Sequence, residues 1–326
     1  MILDRFMFER ELNLKERVLY MIEEYVNDTL FNSENEFYDL KEEFHSILHL
    51  CKSDSNIMKF KKYDSYNPVH NKDKIDCDVC ELAVFTYYNV WDFLRNGKLK
   101  YGRPTRQYNK TPYYIRNYKY QIILVDNKDE YYRGDTMTSF KVTFSNYKKV
   151  LSDGEIGIEI DEEIEKFAKL VYTIGNMIPI PSYFNGERAG KYATADFWDL
   201  GMQQIKKWYS GEDEALELLL NPDKENKNIE LSLKCCKKWL AYFGDWNNFV
   251  ESNFLSSFVE QENGKLKKDE NRNYIPIMFW AGHSYIKRDV PTDPSLFLSY
   301  LKTINNAIES RNIEILDVLK KQLRYY

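Results

Sequence analysis

No stretch of the chain approaches the roughly 18 consecutive apolar residues of a membrane-spanning helix, and GxGxxG, P-loop, HExxH and GxSxG motifs are all missing. The first excludes a helical membrane anchor; the second excludes the commonest signatures of dinucleotide binding, phosphate cradling, zinc proteolysis and serine hydrolysis. Residues 1–10 carry both acid and base where a secretory signal needs an apolar run, so a cytoplasmic protein with no membrane partner is expected. Glycine (13), proline (9) and cysteine (5) are scarce in 326 residues. The cysteines Cys51, Cys77, Cys80, Cys235 and Cys236 are odd in number and include one adjacent pair, which suits reduced thiols better than a disulfide framework.

What is present is the balance of a folded globule: 43% apolar, 16% aromatic and 30% charged. The abundance of Asn, Lys, Tyr and Ile points to a bacterial or phage source. Apolar residues at three- and four-residue steps predict helices over 9–31 and, after the capping box Ser33/Glu36, from Phe37 to Cys51. Further helices are predicted from about Cys80 to Asn96-Gly97, over 161–172, 196–209, 212–220 and 231–254, and as two closing helices from Pro294 onward. Residues 121–125 and 274–280 read as strands, and 131–150 as a helix opened by Gly134-Asp135-Thr136. The expected fold is α+β, predominantly α-helical with a few short strands, in one compact domain over 1–326, with a candidate subdivision near 150–160.

Residues 98–120 hold seven Lys or Arg, six Tyr and no acid. A chain of net charge −5 that carries +7 in this tract carries −12 everywhere else. Cations neutralise phosphates and tyrosine rings stack on unpaired bases, so Lys100, Arg103, Arg106, Tyr113 and Arg116 are candidates for gripping RNA or single-stranded DNA. The same tract can instead dock on an acidic protein surface, its own or a partner's.

Between residues 172 and 209 stand four of the thirteen glycines and two of the nine prolines, beside several ionisable groups. Gly175 and Gly186 can take positive φ, and Pro179 and Pro181 stiffen an extended link. Asn185 and Arg188 are candidates for holding phosphate, with Asp196 or Asp199 as base or metal ligand. The structural alternative is that Asp196 caps the following helix, Asp199 favours its dipole and Arg188 pairs internally. His283, after the apolar stretch 274–280, is a candidate acid, and Gly134-Asp135 behind Arg133 a further anion contact. For a metal, the weak candidates are His45, His49, Cys77 and Cys80, whose order departs from that of zinc fingers.

Thr173-Ile174-Gly175, Pro179, Asn185, Arg188 and then Asp196 and Asp199 resemble a family of uncharacterised bacterial proteins, a domain of unknown function. In it a TIG step, a proline, an NxxRG and an Asp-bearing helix recur together. Here Ala189 intervenes between Arg188 and Gly190. Phe44-His45-Ser46-Ile47-Leu48 and Gly134-Asp135-Thr136 extend the resemblance, which implies a cytoplasmic, mostly helical domain and brings no reaction, cofactor or catalytic set. Two functions are open at this level. One is a protein acting on or binding nucleic acid or nucleotides, in the manner of a phage-defence or toxin enzyme; the other is a non-catalytic interaction, regulatory or immunity factor.

Overall fold

The computed structural model describes residues 81–95, 98–102, 119–123, 131–139, 155–170, 173–181, 183–184, 196–222, 224, 226–282, 284 and 291–323. The helices expected over 9–31 and 37–51 lie outside these residues, as do His45, His49, Cys77 and Cys80. Within them the chain is α+β and mostly helical. In order it forms α1 (Glu81–Val90), α2 (Asp92–Arg95), β1 (Lys98–Gly102), β2 (Lys119–Ile123), β3 (Tyr131–Thr136), β4 (Thr138–Ser139), α3 (Glu155–Leu170), a 3-10 turn (Ile174–Asn176), β5 (Met177–Pro181) and β6 (Asp196–Phe197). There follow α4 (Trp198–Tyr209), α5 (Glu214–Leu220), α6 (Ile229–Ala241), α7 (Trp246–Ser252), a 3-10 turn (Ser256–Phe258), β7 (Gln261–Glu262), β8 (Lys265–Leu266) and α8 (Pro294–Leu323).

Strands β1, β2, β3 and β5 make one antiparallel sheet in that order. Proline has no N–H for a ladder, and the two prolines of β5 sit at alternate positions, 179 and 181, of the sheet's last strand. Helix α1 packs on β2 and β3. Helix α8 lies along α3, tied by Lys302 to Glu159 (2.6 Å), Asn305 to Glu163 (2.7 Å) and Lys166 to Glu309 (2.7 Å). These pairs ascend together in sequence, so the two helices run parallel. One buried cluster gathers Tyr87 and Trp91, Ile160, Ile164 and Phe167 of α3, and Phe297, Leu301, Ile304, Ile308, Ile315 and Leu319 of α8.

Four expectations are corrected. Residues 131–136 and 138–139 are strands, not the start of a helix: Gly134-Asp135-Thr136 pairs across to Pro179, Ile178 and Met177. Residues 274–280 form no named strand: they make the isolated bridges Lys268↔Tyr274 and Val259↔Pro276, with Glu260 N donating to Ile275 O (2.7 Å) and Ile277 N to Phe258 O (3.0 Å). The helix expected over 231–254 divides at Gly244 (φ +79°), after which Asp245 caps α7 by accepting from Asn248 N (2.8 Å). The two closing helices are a single one of 30 residues, begun by Asp293, whose carboxylate accepts from Leu296 N (3.0 Å).

Candidate functional site

Three segments singled out by residue type converge. Beyond the β3–β5 ladder, Met137 N donates to Asn176 O (2.7 Å), and the Asn176 side chain continues the pairing by donating to Thr138 O (2.8 Å) and accepting from Thr138 N (3.0 Å). An amide side chain here does the work of a backbone peptide. Trp198 N then donates to Met137 O (3.1 Å), and β4 pairs with β6 through Thr138↔Phe197 and Ser139↔Asp196. The Gly134 step, the Ile174–Pro181 segment and the start of α4 are thus stitched into one junction. The stretch preceding His283 joins it, because Phe279 N donates to Asp199 Oδ2 (3.2 Å).

This geometry reassigns several candidates. Asp199 lies in the first turn of α4, as dipole complementarity favours, but its side chain is only 1% exposed, out of reach of a bulk substrate. The cap position of α4 is Phe197, with no side-chain bond, and Asp196 is a strand residue opposite Ser139. Gly175 is not among the positive-φ glycines, which are Gly211, Gly244 and Gly264. It is required for another reason: a Cβ there would run into the Ile308 carbonyl and lie 2.7 Å from Asn312 N, so the turn rests directly on the backbone of α8. Asn185, Arg188 and His283 lie outside the described residues.

Sequence reasoning missed the residues that organise this junction, Arg311 and Asn312. Asn312 Oδ1 accepts from Gly175 N (2.6 Å), its Nδ2 donates to Thr173 Oγ1 (2.8 Å), and that hydroxyl donates to Leu170 O (2.7 Å). Arg311, fully buried, donates through Nη1 to Gly175 O and Met177 O (2.7 Å each) and through Nη2 (3.0 Å) and Nε (3.2 Å) to Asn253 O. Its guanidinium also lies over the Trp91 ring, 5.8 Å from the centroid. Burial pushes its pKa down to about 9, against the opposing pull of Glu314 and Tyr87. A signal was present: Ile304, Ile308, Arg311, Ile315 and Leu319 keep one helical period, which puts Arg311 on the apolar face. All these donors are spent on the protein's own carbonyls, so the group is a frame for the junction and not a reacting centre.

Two other buried groups are equally occupied. Tyr209 donates to Leu240 O (2.6 Å), and burial, followed by the charges of Cys236 and Asp245, raises its pKa. Cys235 and Cys236 are buried thiols, not joined in a disulfide. Among the described residues no three of His, Cys, Asp and Glu are grouped so as to hold a metal, and no helix there is long and apolar enough to cross a membrane.

The basic tract has a different setting. Its two ends are β1 and β2, paired in register from Lys98↔Ile123 to Gly102↔Lys119, with Lys100 opposite Gln121. The two ends of the tract are therefore paired antiparallel at the edge of the sheet, where β1 is the edge strand. Arg103, Arg106, Tyr113 and Arg116 belong to the connection between the strands and lie outside the described residues.

A family profile described as a family of unknown function, DUF6994, matches residues 109–315. That span takes in β2, the whole junction, and Arg311 with Asn312. No curated protein and no solved structure matches the chain.

Proposed function

The chain belongs to DUF6994, a family without an assigned activity, so its function must be read from its own residues, and we propose that it binds single-stranded nucleic acid through the basic hairpin 98–120. The observation that carries this reading is the pairing of β1 with β2, which brings together at a sheet edge the two ends of a tract of +7 charge and six tyrosines. Phosphate neutralisation supplies affinity without sequence preference, and tyrosine faces favour unpaired bases over a duplex. The −12 carried by the rest of the chain repels a polyanion elsewhere and steers it to this edge. Arg188, Asp196 or His283 would act on such a strand only as a second step. Asp199, buried and bound to Phe279 N, belongs to the scaffold of that step and not to its chemistry.

The test is equilibrium binding of labelled oligo-U and oligo-dT, measured against salt, for the wild type and for the variant with Arg103, Arg106 and Arg116 all changed to Ala. Binding is expected to fall steeply with salt, and the variant is expected to lose a slope of roughly 2, at about 0.7 per phosphate on a single strand. Absent or salt-insensitive binding would overturn the reading. So would capture of an acidic protein by the hairpin with no affinity for the oligonucleotides, since the tract would then be a protein-docking element.

A further inference from the structure

Among the described residues two aromatic side chains are exposed, Tyr183 at 46% and Tyr242 at 58%. Every other aromatic side chain whose exposure the structure describes is buried or half-buried. The two are mounted on one aromatic cluster. Tyr242, which follows α6, lies 5.5 Å from Phe243 and 5.4 Å from Phe93. Phe243 meets Trp239 at 6.1 Å, and Trp239 meets Phe184, the neighbour of Tyr183, at 5.4 Å. Phe93 meets Tyr132 at 5.4 Å, and Tyr132 pairs with Pro181, two residues before Tyr183. Two chains of contacts thus lead from one exposed tyrosine to the turn that carries the other.

Tyr183 stands where the backbone favours a smaller residue. Phe184 N donates to Pro181 O (3.2 Å), closing a turn whose third position is Tyr183 with φ +67°. That position is ordinarily glycine or asparagine, because a Cβ crowds the backbone at positive φ. Phe254, also at positive φ (+57°), packs its ring edge-on to Trp91 and is half-buried. The Tyr183 side chain, with nearly half its surface open, recovers less by burial. Both ends of its turn are fixed: Pro181 is paired in β5, and Phe184, 1% exposed, stacks on Trp198 at 5.9 Å. A costly conformation held by a rigid frame and presenting an open ring fits a binding contact better than it fits packing.

The turn is also in register with the strands of the basic tract. Leu99↔Ile122, Ile122↔Tyr132 and Tyr132↔Pro181 form one row across the sheet, which sets Pro181 three strand spacings, about 14 Å, from β1. We infer that Tyr183 and Tyr242 are stacking platforms for unpaired bases of a single-stranded nucleic acid. The inference rests on the reading of residues 98–120 as a nucleic-acid element and extends it across the sheet to the end of α6. A base is the occupant because a rigidly mounted tyrosine face takes any base by stacking, while the cations of the tract take the phosphates of the same strand. The rings carry no charge, so they add affinity for bases without counterion release.

The experiment uses the full chain and measures fluorescence anisotropy, against salt, with labelled oligo-dT and with an abasic deoxyribose-phosphate chain of the same length. Tyr183→Leu and Tyr242→Leu are each expected to weaken oligo-dT binding by about five- to a hundredfold, the range of one base stacked on an aromatic ring. The salt slope should stay at its wild-type value, since no phosphate contact is lost. Tyr183→Phe and Tyr242→Phe keep the ring face and are expected to stay within about twofold of wild type. On the abasic chain the leucine variants should match wild type. Tyr183→Gly relieves the positive φ, so it is expected to melt no lower than wild type while binding oligo-dT as weakly as Tyr183→Leu. Leucine variants that bind oligo-dT as wild type does, while the Arg103/Arg106/Arg116 variant loses binding, would overturn the platforms and leave the reading of the basic tract standing. So would leucine variants that lose the abasic chain equally, because the loss would then come from a disturbed fold. Wild type that binds neither probe would overturn both readings.

Discussion

At the scale of single residues, Arg311 shows how a buried charge can be held without a carboxylate. Replacing a buried ion pair by apolar groups is often tolerated, because both charges leave together. Here the partners are backbone carbonyls of Gly175, Met177 and Asn253, which cannot leave. Arg311→Met should therefore strand three acceptors and cost about 3–5 kcal/mol. Urea unfolding measures it, and a loss under 1 kcal/mol would show that the carbonyls find other donors. Gly175→Ala tests the same junction from the other side: its methyl group would displace the backbone of α8 and the Asn312 bond, so a loss of more than about 2 kcal/mol in the same assay is expected. The sequence showed that Gly175 mattered but suggested the wrong reason. A glycine kept for positive φ and one kept for close approach look alike until the neighbouring helix is in place. Arg311 and Asn312 were overlooked because polar residues inside an apolar period read as a break in it.

That same misreading operates at the scale of elements. The run Glu309-Ser310-Arg311-Asn312 seemed to separate two closing helices, yet α8 continues through it, with Arg311 and Asn312 satisfied inside the core and Ser310 exposed. Helices α4 and α5 were legible to within a few residues from apolar spacing and the punctuation at Gly211 and Asn221-Pro222, whereas α6 and α7 were read as one helix across Gly244. Strand β3 was not, since Tyr131-Tyr132-Arg133-Gly134-Asp135-Thr136 alternates only weakly and Gly134-Asp135-Thr136 imitates a helix start. Its identity comes from β5, forty residues away. The turn at Asp269 gives a prediction at this scale. Asp269 Oδ1 accepts from Asn271 N and Asn273 N (2.9 Å each), while Oδ2 meets Lys206 of α4 at 2.6 Å. Burial alone would raise its pKa, but the Lys206 bond and the two backbone donors outweigh it and hold the carboxyl below its ordinary 3.8. With the folded pKa below the unfolded one, the stabilisation is fully present above the unfolded value and is lost as pH falls through the folded one. Asp269→Asn keeps an acceptor for the turn but loses the charge, so it should cost about 0.5–1 kcal/mol at pH 7. The difference from wild type should vanish in parallel melts once the pH is below the lowered folded-state pKa. A cost that persists in acid would assign it to the turn geometry instead of the ion pair.

For the whole molecule, the core is organised as a relay of aromatic rings, and this decides how it should unfold. Trp198 stacks on Phe184 (5.9 Å), Phe184 meets Trp239 (5.4 Å), Trp239 meets Phe249 (5.5 Å), and Phe249 stacks on Trp246 (5.9 Å), which joins α4, α6 and α7. On the other side Trp91 meets Phe254 (5.4 Å) and lies under Arg311, which holds α8 and the turn before β5. Apart from the Phe249–Trp246 stack within α7, these contacts join different segments, so α4, α6 or α7 cannot leave without exposing an aromatic face worth several kcal/mol of transfer free energy. Opening should be all-or-none, with tryptophan fluorescence and far-UV circular dichroism tracing one urea transition. Phe249→Ala removes the ring shared by Trp239, Trp246, Phe243 and Tyr209. It should lower both midpoints together, by the equivalent of about 3–5 kcal/mol. A fluorescence midpoint that falls while the dichroism midpoint stays would mean that the relay is a local patch and that α8 and the sheet hold together without it.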